Sequence, residues 1–145
     1  MSKGKASFWT IPKGGGTGSF SAYYNAQFAA YMASPAVMGV SYSALDCSGG
    51  VSKGIQQINP NFQRTSAQGL FDNWTVPADG PSTGTLMFYD DGGSTRHVTT
   101  VINETEMVHA SSRQYGKSVI TPIKSYVGYK NPPQYRNLNW YKIMK

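Results

Sequence analysis

The pattern of hydrophobic and polar positions changes its period about halfway along the chain. Residues 22–32 place apolar side chains at helical spacing, which predicts a helix that begins at a Ser19 or Ser21 cap and ends at Ser34-Pro35. After Gly84 apolar and polar residues alternate instead, which is typical of strands. The chain therefore predicts helices first and a sheet afterwards.

Two further helices are predicted before the strands begin. Residues 48–58 predict a second helix, although its glycines lower the intrinsic helix propensity. Residues 65–71 predict a short third helix within a long polar connection. Residues 37–42 are irregular or form a short strand, and the glycine-rich residues 12–18 predict a loop.

The second half of the chain predicts an antiparallel meander. Strands are predicted at residues 85–89, 97–102, 107–110, 117–121 and, as the fifth or sixth strand, 139–143. Residues 90–94 predict a hairpin turn, and Asn103-Glu104 predicts a second tight turn. Helices followed by an antiparallel sheet of about five or six strands predict an α+β fold.

The composition predicts a single folded domain over residues 1–145. Hydrophobic residues make up 39% of the chain and charged residues 14%, too few charges and too many aromatics for a disordered segment. No internal repeat or long linker divides the sequence. A chain of this length can bury a proper core.

The net charge of +6 favours anionic partners in general. The basic residues are spread out, however, and no aromatic-basic signature of RNA binding accompanies them. We therefore expect no nucleic-acid partner. The charge is either a soluble basic surface or a weak attraction towards an anionic cell envelope.

The N-terminal lysines are not followed by an apolar run, and no stretch approaches the ~20 apolar residues of a membrane span. The sequence thus predicts neither a membrane span nor a Sec signal. We expect synthesis in the cytoplasm, unless another system exports the protein.

The candidate chemistry centres on one cysteine and two histidines. Cys47, the only cysteine, lies where a loop enters the second predicted helix, and His97 and His109 lie on neighbouring predicted strands. A free thiol titrates near pH ~8.5, and a helix N-terminus or an adjacent imidazolium lowers that pKa. These residues predict a thiol nucleophile, an imidazole base and a second imidazole that orients the first.

Other interpretations of these three residues stay open. A lone cysteine is most often a small buried hydrophobe, and a histidine in a strand often only packs. One cysteine and two histidines could also bind zinc, but no fourth ligand stands at metal-ligand spacing in the sequence. We therefore predict neither a metal nor a cofactor.

The residues around the cysteine resemble a known family. Asp46-Cys47-Ser48-Gly49 is similar to the Asp-Cys-Ser-Gly nucleophile motif of the NlpC-type cell-wall cysteine peptidases, a papain-like group. Further similar blocks follow the order of the family: residues 39–42, 64–68, 84–89, 97–102 and 107–110. The resemblance spans about residues 39–121. It implies a papain-like α+β fold in which the nucleophile helix packs on the sheet.

The chain also departs from the family pattern. Only three residues separate Asp46 from Tyr42, which lies in the segment similar to that of the family's active-site tyrosine. Gly50 stands where a larger aliphatic residue is usual, Thr85 replaces an acidic residue and Thr99 replaces a glycine. These changes indicate a divergent member with its own substrate preference.

The resemblance implies hydrolysis of an amide bond in the peptide stem of peptidoglycan, commonly the bond between γ-D-glutamate and the diamino acid. Cys47 would attack the carbonyl carbon, and His97 would keep the thiol ionised and then protonate the leaving amine. His109 would orient His97. The Cys47 amide, aided by the Tyr42 hydroxyl, would form the oxyanion hole.

Three more residues are candidates for substrate contacts. Asp46 and Ser48 flank the cysteine, as do residues that bind a free amine in some family members, although Asp46 is equally a candidate helix cap. Arg64 would meet a carboxylate of the stem or only fix its own loop, and we favour the structural role.

The sequence thus predicts an antibacterial, wall-degrading effector. It would act as a monomer on peptidoglycan stem peptides in the periplasm or cell wall, after delivery into a target cell, and a cognate immunity protein would block it. The alternatives are a phage endolysin or tail lysin that acts after host lysis, a papain-like amidase or acyltransferase with another substrate, and a wall-binding domain without activity.

Overall fold

A computed structural model describes residues 19–111, 116–125 and 131–145 of the chain. The loop predicted over residues 12–18 lies outside these residues. The helices are α1 Ser19–Met32, α2 Cys47–Gln56, α3 Ala67–Trp74, the 3-10 helix Ile123–Ser125 and α4 Trp140–Ile143. The strands are β1 Thr75–Pro77, β2 Leu86–Asp90, β3 Thr95–Val101, β4 Glu106–Ser111, β5 Lys117–Pro122 and β6 Gln134–Leu138.

Side-chain caps begin both α2 and α3. At α2, the Asp46 carboxylate accepts a hydrogen bond from the Gly49 amide at 2.8 Å, and at α3 the Ser66 hydroxyl accepts one from the Gly69 amide at 3.0 Å. Because its cap is Asp46, α2 begins one residue before the predicted start. The first predicted helix is confirmed as α1. None of the helices in the described part of the chain has the length and apolar character needed to cross a bilayer.

The six strands form one antiparallel sheet in the order β1-β6-β2-β3-β4-β5. The consecutive strands β2 to β5 correspond to the predicted strands from 85–89 to 117–121, so the meander is confirmed. β1 is not predicted from the sequence, because three residues carry too short an alternation to be recognised. Helices packed on this sheet confirm the predicted α+β fold.

The strand predicted over residues 139–143 is wrong, because the last strand, β6, precedes these residues and the chain then forms α4. The Asn139 side chain accepts a hydrogen bond from the Lys142 amide at 3.2 Å and caps the helix. Trp140 and Ile143, three residues apart, are its buried residues. A short apolar pattern fits a helical turn as well as a strand, and here the Asn139 cap favours the helix.

The main core lies between the helices and one face of the sheet. It includes Phe28, Met32, Val51, Ile55, Leu70, Leu86, Phe88, Val98, Val108, Leu138 and Trp140. A smaller cluster joins Met87, Tyr89, Val101 and Met107. Val98 of β3 and Val108 of β4 belong to the main core, so these two strands contribute to the face of the sheet that packs against the helices.

Close packing joins α1 to the helices around it. A Cβ atom at Gly54 in α2 would lie 2.7 Å from the ring of Phe28 and 2.9 Å from the sulfur of Met32, so a glycine is required for this approach. The Trp140 indole donates a buried hydrogen bond of 2.7 Å to the Asn25 side-chain carbonyl, which ties α4 to α1. The C-terminal helix is therefore part of the core.

The hairpin between β2 and β3 contains an irregularity close to His97. Tyr89 pairs with His97, but the next residue, Asp90, pairs with Thr95. Arg96 is thus an extra residue on β3, which is a β-bulge. A bulge bends its strand locally and changes the direction of the side chains beside it.

On its other side, β3 pairs with β4 near its C-terminal end. The pairs recorded in this part of the sheet are Thr100 with Val108 and Val101 with Met107. No such pair is recorded for the described residues at the start of β3. In the described residues the pairing of β3 with β4 is thus concentrated at the C-terminal end of β3.

Candidate active site

The Cys47 thiol lies at the N-terminus of α2, half-buried, against β3. Burial is the largest influence on it and raises the pKa of the thiol. Hydrogen bonds from the backbone amides of Val98, Ser48 and Cys47 lower that pKa, whereas the negative charge of Asp46 raises it. The lowered thiol pKa expected from the sequence is therefore wrong for this resting structure, because the amides do not offset the loss of water around the sulfur.

The two histidines lie side by side. The ring centroids of His97 and His109 are 5.9 Å apart and the rings are nearly perpendicular. Burial lowers the pKa of His97 to about 4, and the charge of His109 lowers it as well. Burial also lowers the pKa of His109. At neutral pH the site therefore holds a neutral thiol and two neutral imidazoles.

The thiol-bearing helix α2 meets β3 and β4 at one pocket. Cys47 and His109 line one pocket together with Val98, the residue that follows His97. Thr100 and the main-core residues Met32, Val51 and Val108 are among those that complete a mostly apolar wall. The three residues predicted as a catalytic set thus lie on elements that converge at this pocket, and their catalytic roles stay predictions.

The Asp46 carboxylate has two structural contacts. It caps α2 through Gly49, and it accepts hydrogen bonds from the Nη2 atom of Arg64 at 2.9 and 3.1 Å. These are the contacts expected of a helix cap and of a loop-fixing arginine. A substrate amine would have to share Asp46 with Arg64, and the substrate roles of both residues stay predictions.

Tyr42 and Ser48 lie on either side of the nucleophile along the chain. The Tyr42 amide donates a hydrogen bond of 2.8 Å to the carbonyl of Gly116, which holds the segment before α2 against the start of β5. The Tyr42 side chain is half-buried. Ser48 is buried in the first turn of α2. Their oxyanion and amine-binding roles stay predictions.

Gln68 makes a contact that could not be predicted from the sequence. Its side-chain carbonyl accepts a hydrogen bond of 2.6 Å from the backbone amide of Thr95, two residues before His97. Gln68 belongs to one of the family-like blocks, residues 64–68. The sequence cannot reveal the partner, because that partner is a backbone group on a distant strand.

No group of three or more histidine, cysteine, aspartate and glutamate side chains suited to hold a metal ion occurs within residues 19–111, 116–125 and 131–145.

Comparisons with known proteins agree with this geometry. The family model described as the NlpC/P60 family matches residues 34–131. The fold is similar to that of the P60 domain of antigen MAP1204 from M. avium subspecies paratuberculosis, with a TM-score of 0.60 and 22% identity over 79% of this chain and 95% of that one. It is also similar to the peptidoglycan hydrolase RipB from Mycobacterium tuberculosis, with a TM-score of 0.59 and 24% identity over 83% and 68% of the two chains. A comparison with curated proteins finds no match.

Proposed function

Because the chain belongs to the NlpC/P60 family, and is thus an enzyme of the cysteine peptidase and peptidoglycan hydrolase class, we propose that it cuts the bond between γ-D-glutamate and the diamino acid of the peptidoglycan stem. The observation that carries this proposal is the position of Cys47. Its thiol lies at a helix N-terminus and against the Val98 amide, next to His97 in the chain. The His109 ring lies beside that of His97.

In the proposed reaction the Cys47 sulfur attacks the carbonyl carbon of the scissile amide while the thiol proton passes to His97. The bond between carbon and nitrogen then breaks, and His97 returns the proton to the leaving amine. Water attacks the resulting thioester and releases the free thiol and a carboxylate. His109 orients the His97 ring throughout.

The depressed pKa of His97 favours one half of this cycle. A histidine with a pKa of about 4 is neutral at pH 7, the form that can accept a proton. Once protonated it is a strong acid, which assists expulsion of the poorly leaving amine. Transfer of the proton from Cys47 to His97 is unfavourable, because burial raises the pKa of the thiol and lowers the pKa of the imidazole. We therefore expect the thiolate to form only together with attack on bound substrate.

The backbone amides at the start of α2 are the proposed oxyanion donors. The Gly49 amide is already bound to Asp46, whereas the amides of Cys47 and Ser48 face the sulfur. Donors placed next to the nucleophile can bind the oxygen that becomes negative in the transition state. Tyr42 remains a proposed additional donor from the segment before α2.

The direct test is digestion of purified sacculi with the wild type and with Cys47→Ala, followed by mass analysis of the soluble fragments. We expect fragments from the wild type only, with masses that identify the γ-D-glutamyl bond. Soluble fragments from both proteins would contradict cysteine catalysis. An absence of fragments from either, with a thiol that still reacts with iodoacetamide, would contradict the peptidoglycan substrate.

The same digests distinguish hydrolysis from acyl transfer. Each hydrolysed bond exposes a new amine on the diamino acid, which labelling with fluorodinitrobenzene measures before mass analysis. We expect one new amine for each bond cut. Release of stem fragments whose new carboxyl end carries an added amine would indicate an acyltransferase instead.

We further propose that the enzyme acts in the periplasm or cell wall as an antibacterial effector. The support for this role is the substrate, since uncontrolled cutting of a load-bearing polymer lyses a cell. Expression in a bacterium with and without an added export signal tests it. We expect lysis only for the exported wild type and not for exported Cys47→Ala. Normal growth of cells that export active enzyme would contradict the effector role and favour a lysin that requires a different wall.

A further inference from the structure

The bulge in β3 places His97 next to a stretch of strand with irregular pairing. Tyr89 of β2 pairs with His97, and Asp90 with Thr95, so that the backbone between them contains one extra residue. Bulges weaken local pairing and redirect the neighbouring side chains. The direction of the His97 ring therefore depends on how firmly the backbone before it is held.

The Gln68 side chain holds that backbone from outside the sheet. Its carbonyl oxygen accepts a hydrogen bond of 2.6 Å from the amide of Thr95, the first residue of β3. Its amide nitrogen donates one of 2.9 Å to Asp72, one turn later in α3. The contact with Thr95 is the shorter of the two and joins α3 to the start of β3.

α3 is a firm support for this contact. Its N-terminus is capped by Ser66, and Ala67 and Leu70 are buried, Leu70 within the main core. A side chain on such a helix positions its partner more accurately than one on a loop.

We propose that Gln68 is a positioning residue for catalysis: by holding the Thr95 amide it sets the bulge and thereby directs His97. This inference rests on the proposed use of His97 as the base. It extends the catalytic apparatus to a residue that does not touch the substrate. Small errors in the placement of a reacting group cost about a hundredfold in rate.

The titration of His97 offers a measurement that requires no substrate. The His97 ring is packed against Tyr89 of β2 and His109 of β4, and Cys47 of α2 lies against the following residue. Its pKa is about 4 because it is buried. A β3 start that loosens would admit water and allow this pKa to rise towards its ordinary value of 6.5.

The experiment compares Gln68→Ala with two controls. Asp72→Ala removes the second contact of Gln68 but leaves the Thr95 hydrogen bond. Asn59→Ala removes a hydrogen bond of the same kind far from the bulge, from the Asn59 side chain to the carbonyl of Ile143 at 2.8 Å. The pKa of His97 is measured by NMR, with His109→Gln to assign the two ring signals, and kcat and KM are measured on a muropeptide. Gln68→Met replaces Gln68→Ala if that variant does not fold.

We expect Gln68→Ala to raise the pKa of His97 by at least about one unit and to lower kcat by about tenfold to a hundredfold with KM little changed. Both controls should retain the wild-type pKa and kcat at a comparable loss of Tm. An unchanged kcat in Gln68→Ala would overturn the inference. If the wild type cuts no muropeptide, the proposed function fails, and an unchanged pKa of His97 in Gln68→Ala would then overturn the inference separately.

Discussion

Buried imidazoles make the two histidines a source of acid sensitivity. His97 and His109 are 6% and 2% exposed, and burial lowers the pKa of both. In the unfolded chain a histidine titrates near pH 6.5, so between that pH and about 4 the unfolded chain binds more protons at His97 than the folded chain does. The contribution of a neutral, buried His97 to the free energy of unfolding is therefore fully present above pH 6.5, and it is lost as the pH falls from 6.5 to about 4.

We predict that His97→Gln reduces this loss. The shift from 6.5 to about 4 corresponds to about 3 kcal/mol of unfolding free energy between neutral pH and pH 4. Urea unfolding of the wild type and of His97→Gln at pH 7 and pH 4 measures it. The titration of His109 and of the carboxylates is common to both proteins, so the difference isolates His97. Equal losses in the two proteins would contradict a buried, neutral His97.

At this scale the sequence identifies residue types but not their protonation. Cys47, His97 and His109 stand out because one cysteine and two histidines occur in blocks similar to those of a known family. The direction of the thiol pKa could not be predicted in the same way. It depends on how much water burial removes, and that follows from packing of α2 against β3.

Among the elements, α2 carries glycines with opposite packing roles. A Cβ atom at Gly54 would overlap Phe28 and Met32 of α1, whereas one at Gly50 would meet Met32 and Leu45 at ordinary distances of 3.6 and 3.7 Å. Replacement of glycine by a better helix former is therefore favourable at Gly50, where a Cβ atom has space, and unfavourable at Gly54, where it does not.

We predict that Gly54→Ala lowers and Gly50→Ala raises the free energy of unfolding. Overpacking at Gly54 costs about 1–3 kcal/mol and exceeds the gain of up to ~1 kcal/mol in helix propensity. Gly50→Ala keeps that gain without the overlap. Urea midpoints of the two variants measure the difference. A stabilised Gly54→Ala would show that α1 and α2 are not as closely packed as described.

The strands of the meander could be predicted because each contains at least four residues rich in apolar or β-branched side chains, and recognisable turns separate the first three. β1 and β6 could not, since they are short and pair with each other from distant parts of the chain. The error at residues 139–143 has the same origin. A few apolar residues do not define a period, and the Asn139 cap is visible only as one asparagine among several.

For the whole molecule, the C-terminal segment is part of the fold. The family model ends at residue 131, but β6 lies between β1 and β2 in the sheet. Trp140 of α4 is fully buried and bonded to Asn25 of α1. The last fourteen or so residues thus join the sheet to the first helix.

We predict that a chain ending at Asn131 does not unfold cooperatively, and that Trp140→Ala costs about 3–5 kcal/mol of unfolding free energy. Deletion of the exposed Lys145 alone should leave Tm unchanged and is the control. Calorimetry of the three proteins measures these effects. A cooperative transition in the shortened chain would show that the rest of the sheet folds without β6.

The Val98 amide, which lies against the Cys47 thiol and lowers its pKa, links the chemical state of the enzyme to the sheet. A thioester sulfur accepts hydrogen bonds poorly, so the Val98 proton should exchange with deuterium faster in the acylated enzyme than in the free one. One peptide group in the sheet would then act as a built-in reporter of turnover, readable without modifying the substrate.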